Sequence, residues 1–129
     1  MSDPAKKSQK IAVIDDEKSL LGVFSSLMGQ FQFTADFFES PQAAFDKIAT
    51  NPEQYRLVIT DIRMAGMDGI TFAKKVRFLL PKIPFIFMTG NLTPDIREGA
   101  EKLGNNIILE KPFPLVATLK ETIAKLTSI

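Results

Sequence analysis

Cysteine and histidine are both absent from the 129 residues. Without cysteine there is no disulfide framework, zinc finger or thiol nucleophile. Without histidine there is no Ser-His-Asp triad and no histidine general base. A dominant charge of one sign is lacking too. The formal net charge is +1, and Lys6, Lys7 and Lys10 against Asp3 place +2 in residues 1–10, leaving −1 for residues 11–129. So neutral a body lacks the basic face of a nucleic-acid binder, and no direct nucleic-acid contact is expected. Long apolar runs are missing as well. Ile83–Met88 is among the longest, far short of the roughly 20 residues that cross a membrane. The opening Met-Ser-Asp-Pro-Ala-Lys-Lys-Ser has no signal-peptide core. These absences lead to the expectation of a soluble, cytoplasmic, single-domain protein away from membranes. A chain of this length buries roughly 68% of its unfolded surface, enough for an unstapled core.

What the chain does contain is alternation. Residues 1–9 read as a flexible tail, with Lys6, Lys7 and Lys10 as a solvated basic cluster, and residues 10–129 read as one domain. Ile11–Ile14, Phe33–Phe37, Leu57–Thr60, Pro84–Met88 and Ile107–Leu109 are short runs rich in β-branched and aromatic residues. All but the second lack polar alternation, as strands covered on both faces do. The alternating Phe33–Phe37 suits a position nearer an edge. Between the runs, apolar residues recur at helical spacing. The stripes are Leu20, Phe24, Leu27, Met28 and Phe31; Ala44, Phe45 and Ile48; Phe72, Ala73, Val76 and Leu80; and Leu115, Leu119, Ile123 and Leu126. Ser40-Pro41 and Thr93-Pro94 place a capping side chain before a proline, and Gly104 ends the fourth helix. Five strands alternating with five helices predict an α/β fold with a parallel sheet between helical layers. Most of the eleven phenylalanines fall at core spacing.

Ligands of an open parallel sheet sit beyond the carboxyl ends of its strands. There the sequence places Asp15-Asp16, Glu39-Ser40, Asp61, Thr89-Gly90 and Lys111-Pro112. Three close carboxylates repel and raise one another's pKa unless a cation sits among them. Oxygen ligands alone favour a hard ion such as Mg²⁺, which keeps water and accepts phosphate oxygen. A lysine facing the acids can pair with Asp61 and then with a phosphoryl oxygen, a threonine can hold another, and a carboxylate can be the nucleophile.

Asp15-Asp16, Asp61-Ile-Arg-Met-Ala-Gly-Met-Asp-Gly69, Met88-Thr89-Gly90 and Glu110-Lys111-Pro112-Phe113 together resemble the receiver domain of two-component response regulators. The likeness runs from about Lys10 to Leu126. Asp61 follows Asp16 by 45 residues, Thr89 follows Asp61 by 28 and Lys111 follows Thr89 by 22, spacings that agree with that family. The resemblance implies a flavodoxin-like (βα)5 three-layer sandwich with strand order 2-1-3-4-5. It implies Asp61 as phosphoacceptor and Lys111 and Thr89 as contacts to phosphoryl oxygens. It implies Mg²⁺ held by Asp16 and Asp61, by Asp15 through water and by the Arg63 carbonyl. A cis Lys111–Pro112 bond is implied too. The phosphoryl donor would be a histidine kinase or a histidine phosphotransfer protein, and the output an unnamed downstream protein. The chain reads as a stand-alone regulator or as a receiver cut from a larger regulator or hybrid kinase.

Plainer readings stand beside these. Asp15-Asp16 also suits a helix cap, Asp68-Gly69 a turn and cap, and Glu17 a favourable charge at a helix N-terminus. Two residues depart from the family's habit: Ala65 stands where proline commonly follows the methionine, and Ile108 where tyrosine or phenylalanine is frequent. Ile108 has no ring to swing between exposed and buried states, so a backbone shift over Thr89–Pro94 or in the fourth helix is expected instead. A degenerate receiver acting as a phosphorylation-independent binding module is the alternative function. A nucleotide-binding enzyme is disfavoured by the lack of a Gly-x-x-x-x-Gly-Lys-Ser/Thr loop. An aspartate phosphatase is disfavoured because Arg63 stands where its acid/base aspartate would be.

Overall fold

The structure, a computed structural model, describes residues 9–112 and 115–127. Lys6, Lys7 and Phe113 lie outside the described residues, as does nearly all of the expected tail. The strands are β1 (Lys10–Ile14), β2 (Ala35–Phe38), β3 (Tyr55–Asp61), β4 (Phe85–Thr89) and β5 (Asn106–Glu110). The helices are α1 (Lys18–Phe31), α2 (Pro41–Thr50), α3 (Gly69–Leu79), α4 (Pro94–Leu103) and α5 (Leu115–Thr127). All neighbouring strands pair in parallel, in the order β2-β1-β3-β4-β5, so the flavodoxin-like topology is met. The near-continuous apolar runs of β1, β3 and β4 have a simple cause. Ile11, Val13, Leu57, Ile59, Ile86 and Met88 pack with α1 and α5 on one face. Ala12, Ile14, Val58, Phe85 and Phe87 pack with α2, α3 and α4 on the other.

Helix ends follow local chemistry. Ser40, Asp68 and Thr93 each accept a backbone N–H three residues on, from Ala43, Thr71 and Ile96. Gly104 ends α4 at φ +63°. β2 starts two residues later than expected, because the end of α1 consumes that stretch. Gln32 is left-handed at φ 63°, and the Phe33 N–H returns to the Met28 carbonyl at 2.9 Å. At the start of α1, Leu21 occupies the core position expected of Leu20, which is half-buried. Lys10 is not part of a solvated cluster: it opens β1, and its Nζ lies 3.5 Å from Asp36 Oδ2, which also accepts the buried Tyr55 hydroxyl at 2.6 Å. Phe24, Phe72, Phe85 and Phe87 are buried as core spacing predicts, whereas Phe78 on α3 is 88% exposed. Arg77 ties α3 to the turn that follows it and to the α4–β5 turn by donating to the carbonyls of Ile83, Leu103, Gly104 and Asn105.

Candidate functional site

The rim predicted from strand ends is assembled. Asp15 follows β1 and is fully buried, Asp61 ends β3 and is 8% exposed, and Thr89 ends β4 and is buried. Asp15, exposed Asp16 and Asp61 each bring one carboxylate oxygen within 4.8 Å of the others. Lys111, just past β5, places Nζ 3.1 Å from Asp61 Oδ2. Its own N–H donates to the Thr89 carbonyl at 2.7 Å, and the Lys111–Pro112 bond is cis as expected. Thr89 Oγ1 accepts the Asn91 N–H at 3.2 Å. Asp16 is not a helix cap: Oδ2 accepts the Ala65 N–H at 3.2 Å, tying the β3–α3 loop to the end of β1. Asp15 Oδ1 accepts the Glu17 N–H at 2.9 Å just before the helix, while Glu17, the N-cap residue, makes no side-chain cap bond. Arg63 lies two residues past Asp61 with its side chain exposed. Glu39 and Ser40 stay out of the cluster, Glu39 pairing with Lys18 and Ser40 capping α2.

Burial is the first cause of what happens to the two inner acids. It pushes the Asp15 carboxyl above the ordinary aspartate range, with Asp61 and Glu17 adding to the rise and the Glu17 N–H and Lys111 opposing it. Burial raises Asp61 too, with Asp16 adding and Lys111 holding it down. Among the described residues Asp15 Oδ2 has no hydrogen-bond partner, so the cluster carries a buried oxygen that no protein donor compensates. A carboxyl whose pKa is raised on folding contributes stability below its unfolded pKa and loses it as pH rises through the folded value. Asp15→Asn keeps the acceptor for Glu17 and removes the charge. It is therefore expected to stabilise the metal-free protein by about 1–2 kcal/mol at pH 7. That gain should vanish below the unperturbed aspartate pKa of about 3.9. Urea titrations at both pH values check this, and a variant less stable at pH 7 would contradict it.

Sequence reasoning missed three features of the site. Gly69 was read as the partner of a cap, yet a Cβ there would lie 2.4 Å from the Asp61 carbonyl oxygen. Asp-Gly at the loop end was the signal for it. The Thr60 hydroxyl donates to that same carbonyl at 2.9 Å, which no local pattern announces. An apolar recess of about 270 Å³ opens beside Asp15 and Lys111, lined also by Leu20, Phe24, Met88, Pro112 and Leu115. Leu20 thus lines the recess beside the site instead of packing in the core. Ile108 on β5 is half-buried against the α2–α4 face of the core.

The family described as the response regulator receiver domain matches residues 11–124. The chain belongs to that family. It is 33% identical over 103 residues to the transcriptional regulatory protein FixJ of Bradyrhizobium diazoefficiens, a match covering 80% of this chain and 49% of that protein. It is 31% identical over 122 residues to the transcriptional regulatory protein ZraR of Escherichia coli, covering 92% and 27%. The chain thus spans half or less of these regulators. Among solved structures, a response regulator receiver domain protein from Clostridium thermocellum superposes with a TM-score of 0.86 at 25% identity, covering 93% of this chain and 94% of that one. Among the described residues of this receiver, no helix is long and apolar enough to cross a membrane.

Proposed function

We propose that this receiver takes a phosphoryl group onto a carboxylate oxygen of Asp61 and thereby changes which protein it binds. The phosphoryl donor is a phosphohistidine in the cytoplasm, and because the chain has no histidine that residue belongs to a partner, a histidine kinase or a histidine phosphotransfer protein. In the transfer the P–N bond breaks as the P–O bond to Asp61 forms, leaving the partner's imidazole free. Hydrolysis of the acyl phosphate then restores Asp61 and releases inorganic phosphate. The domain is a switch modified in its own reaction, not an enzyme acting on a separate substrate. The observation that carries this reading is the Lys111–Asp61 pair at 3.1 Å inside a three-carboxylate cluster. Lys111 favours the charged form of Asp61 against the opposing effect of burial and would contact a phosphoryl oxygen; the Thr89 hydroxyl, at the end of the neighbouring strand, would serve another. The unpartnered Asp15 oxygen and the all-oxygen donor set fit Mg²⁺. Asp16, Asp61 and the Arg63 carbonyl would hold the ion directly and Asp15 through water. When bound, Mg²⁺ would neutralise charge on the phosphoryl oxygens. An intact acidic pocket favours this reading over a phosphorylation-independent binding module. Incubation with acetyl phosphate and Mg²⁺ should add one phosphoryl group by intact mass, and an unchanged mass would contradict the proposal.

Output in this receiver is proposed to run through backbone, because Ile108 has no ring to move. Amide and methyl NMR shifts with and without beryllofluoride should change most over Thr89–Pro94. A large rotamer change at Ile108 beside an unmoved 89–94 backbone would contradict this.

A further inference from the structure

The peptide unit joining Asp61 to Ile62 is held from three directions. Its N–H, on Ile62, donates to the Met88 carbonyl at 3.0 Å. Its carbonyl, on Asp61, accepts the Thr60 hydroxyl at 2.9 Å, and Thr60 is fully buried, with Met64 Sδ 3.8 Å from the same hydroxyl. With one proton to give, the hydroxyl serves the closer and stronger acceptor. Gly69 closes the third side: a Cβ there would sit 2.4 Å from the carbonyl oxygen, 3.2 Å from its carbon and 3.0 Å from Ile62 Cα. The gripped peptide is the one at which the chain leaves the sheet, since Asp61 is the last residue of β3.

Thr60 is next to Asp61 on a strand, so the two side chains project to opposite faces, and the Thr60 hydroxyl is spent on main chain. Among the described residues it makes no hydrogen bond to a carboxylate of the acidic pocket or to Lys111. We infer that Thr60 is a positioning residue for phosphoryl acceptance: by fixing the 61–62 peptide it sets the aim of the Asp61 carboxylate. This rests on the reading of Asp61 as phosphoacceptor. In-line transfer tolerates little misplacement, and an error of about 1 Å at a reacting atom can cost on the order of a hundredfold in rate. The bland role for a buried threonine is a β-branched strand residue whose hydroxyl is merely satisfied, and the isosteric valine separates the two.

The test compares wild type, Thr60→Val and Thr60→Ser for the rate of phosphoryl uptake from acetyl phosphate at saturating Mg²⁺. Rates are taken well below each melting temperature, which is measured in parallel. Thr60→Val is expected to slow uptake roughly tenfold, and Thr60→Ser, which keeps the hydroxyl, to stay within about twofold of wild type. Should valine not fold, Thr60→Ala carries the same comparison. A folded variant without the hydroxyl that melts lower yet takes up phosphoryl at the wild-type rate overturns the inference and leaves the function standing. Wild-type protein that takes up none overturns the functional reading, and the inference with it.

Discussion

Asp61→Asn is expected to abolish phosphoryl uptake while leaving a folded protein. An amide oxygen carries no full negative charge and forms no stable acyl phosphate, so position 61 can no longer supply the nucleophile. Folding survives because the substitution removes a charge that burial already disfavours. Lys111 loses its partner, yet its side chain is 33% exposed and can turn to water. The stability change should therefore stay within about 1 kcal/mol. Binding to the native state alone raises stability by mass action, so millimolar Mg²⁺ should raise the wild-type melting temperature. The rise should shrink in both Asp61→Asn and Asp16→Ala. Intact mass and thermal melts across a Mg²⁺ series read both effects, and a full mass gain in Asp61→Asn would move the acceptor elsewhere.

Gly69→Ala is expected to be the most destabilising of the seven possible glycine-to-alanine changes. The atoms a Cβ would meet are all main chain, the Asp61 carbonyl and Ile62 Cα, and main chain in a strand end cannot rotate away as a side chain can. The Gly69 N–H is also committed to the Ile62 carbonyl at 2.8 Å, which pins the approach. Overpacking of this kind costs about 3 kcal/mol, equivalent to roughly 10 °C in melting temperature for a domain of this size. Gly22 in α1 provides the internal control, because a Cβ there meets nothing within 4 Å. Gly22→Ala should be neutral or stabilise by up to about 1 kcal/mol through helix propensity. Equal effects of the two substitutions in urea titrations would contradict the close approach.

Much of the fold was legible because its signals are local. Buried parallel strands read as apolar runs, proline after serine or threonine marks helix starts, and Gly104 marks an end; each of these depends on residues within a few positions. The acidic pocket was legible for a related reason: strand ends share one rim, so Asp15, Asp16, Asp61 and Lys111 fall together once their segments are read as parallel strands. The misses are long-range or hinge on one dihedral. The left-handed Gln32, a residue with no special preference for that conformation, delayed β2. Arg77 finds its four carbonyls up to 28 residues away, and an arginine on a helix announces none of them. Thr60 looked like one more β-branched strand residue, its hydroxyl bond being invisible until the turn after Asp61 is built. Phe78 was legible as well: it falls on the side of α3 opposite the Phe72, Ala73, Val76 and Leu80 stripe, and it is exposed.

The central claim is that Asp61 carries the phosphoryl group. Borohydride reduces an acyl phosphate to an alcohol, turning a phosphorylated aspartate into homoserine that peptide mass spectrometry locates. Wild-type protein treated with acetyl phosphate and Mg²⁺, then with borohydride, should yield homoserine at position 61 alone and none when the phosphodonor is omitted. Homoserine at position 15 or 16, or unmodified Asp61 in protein that has gained a phosphoryl group, would contradict it.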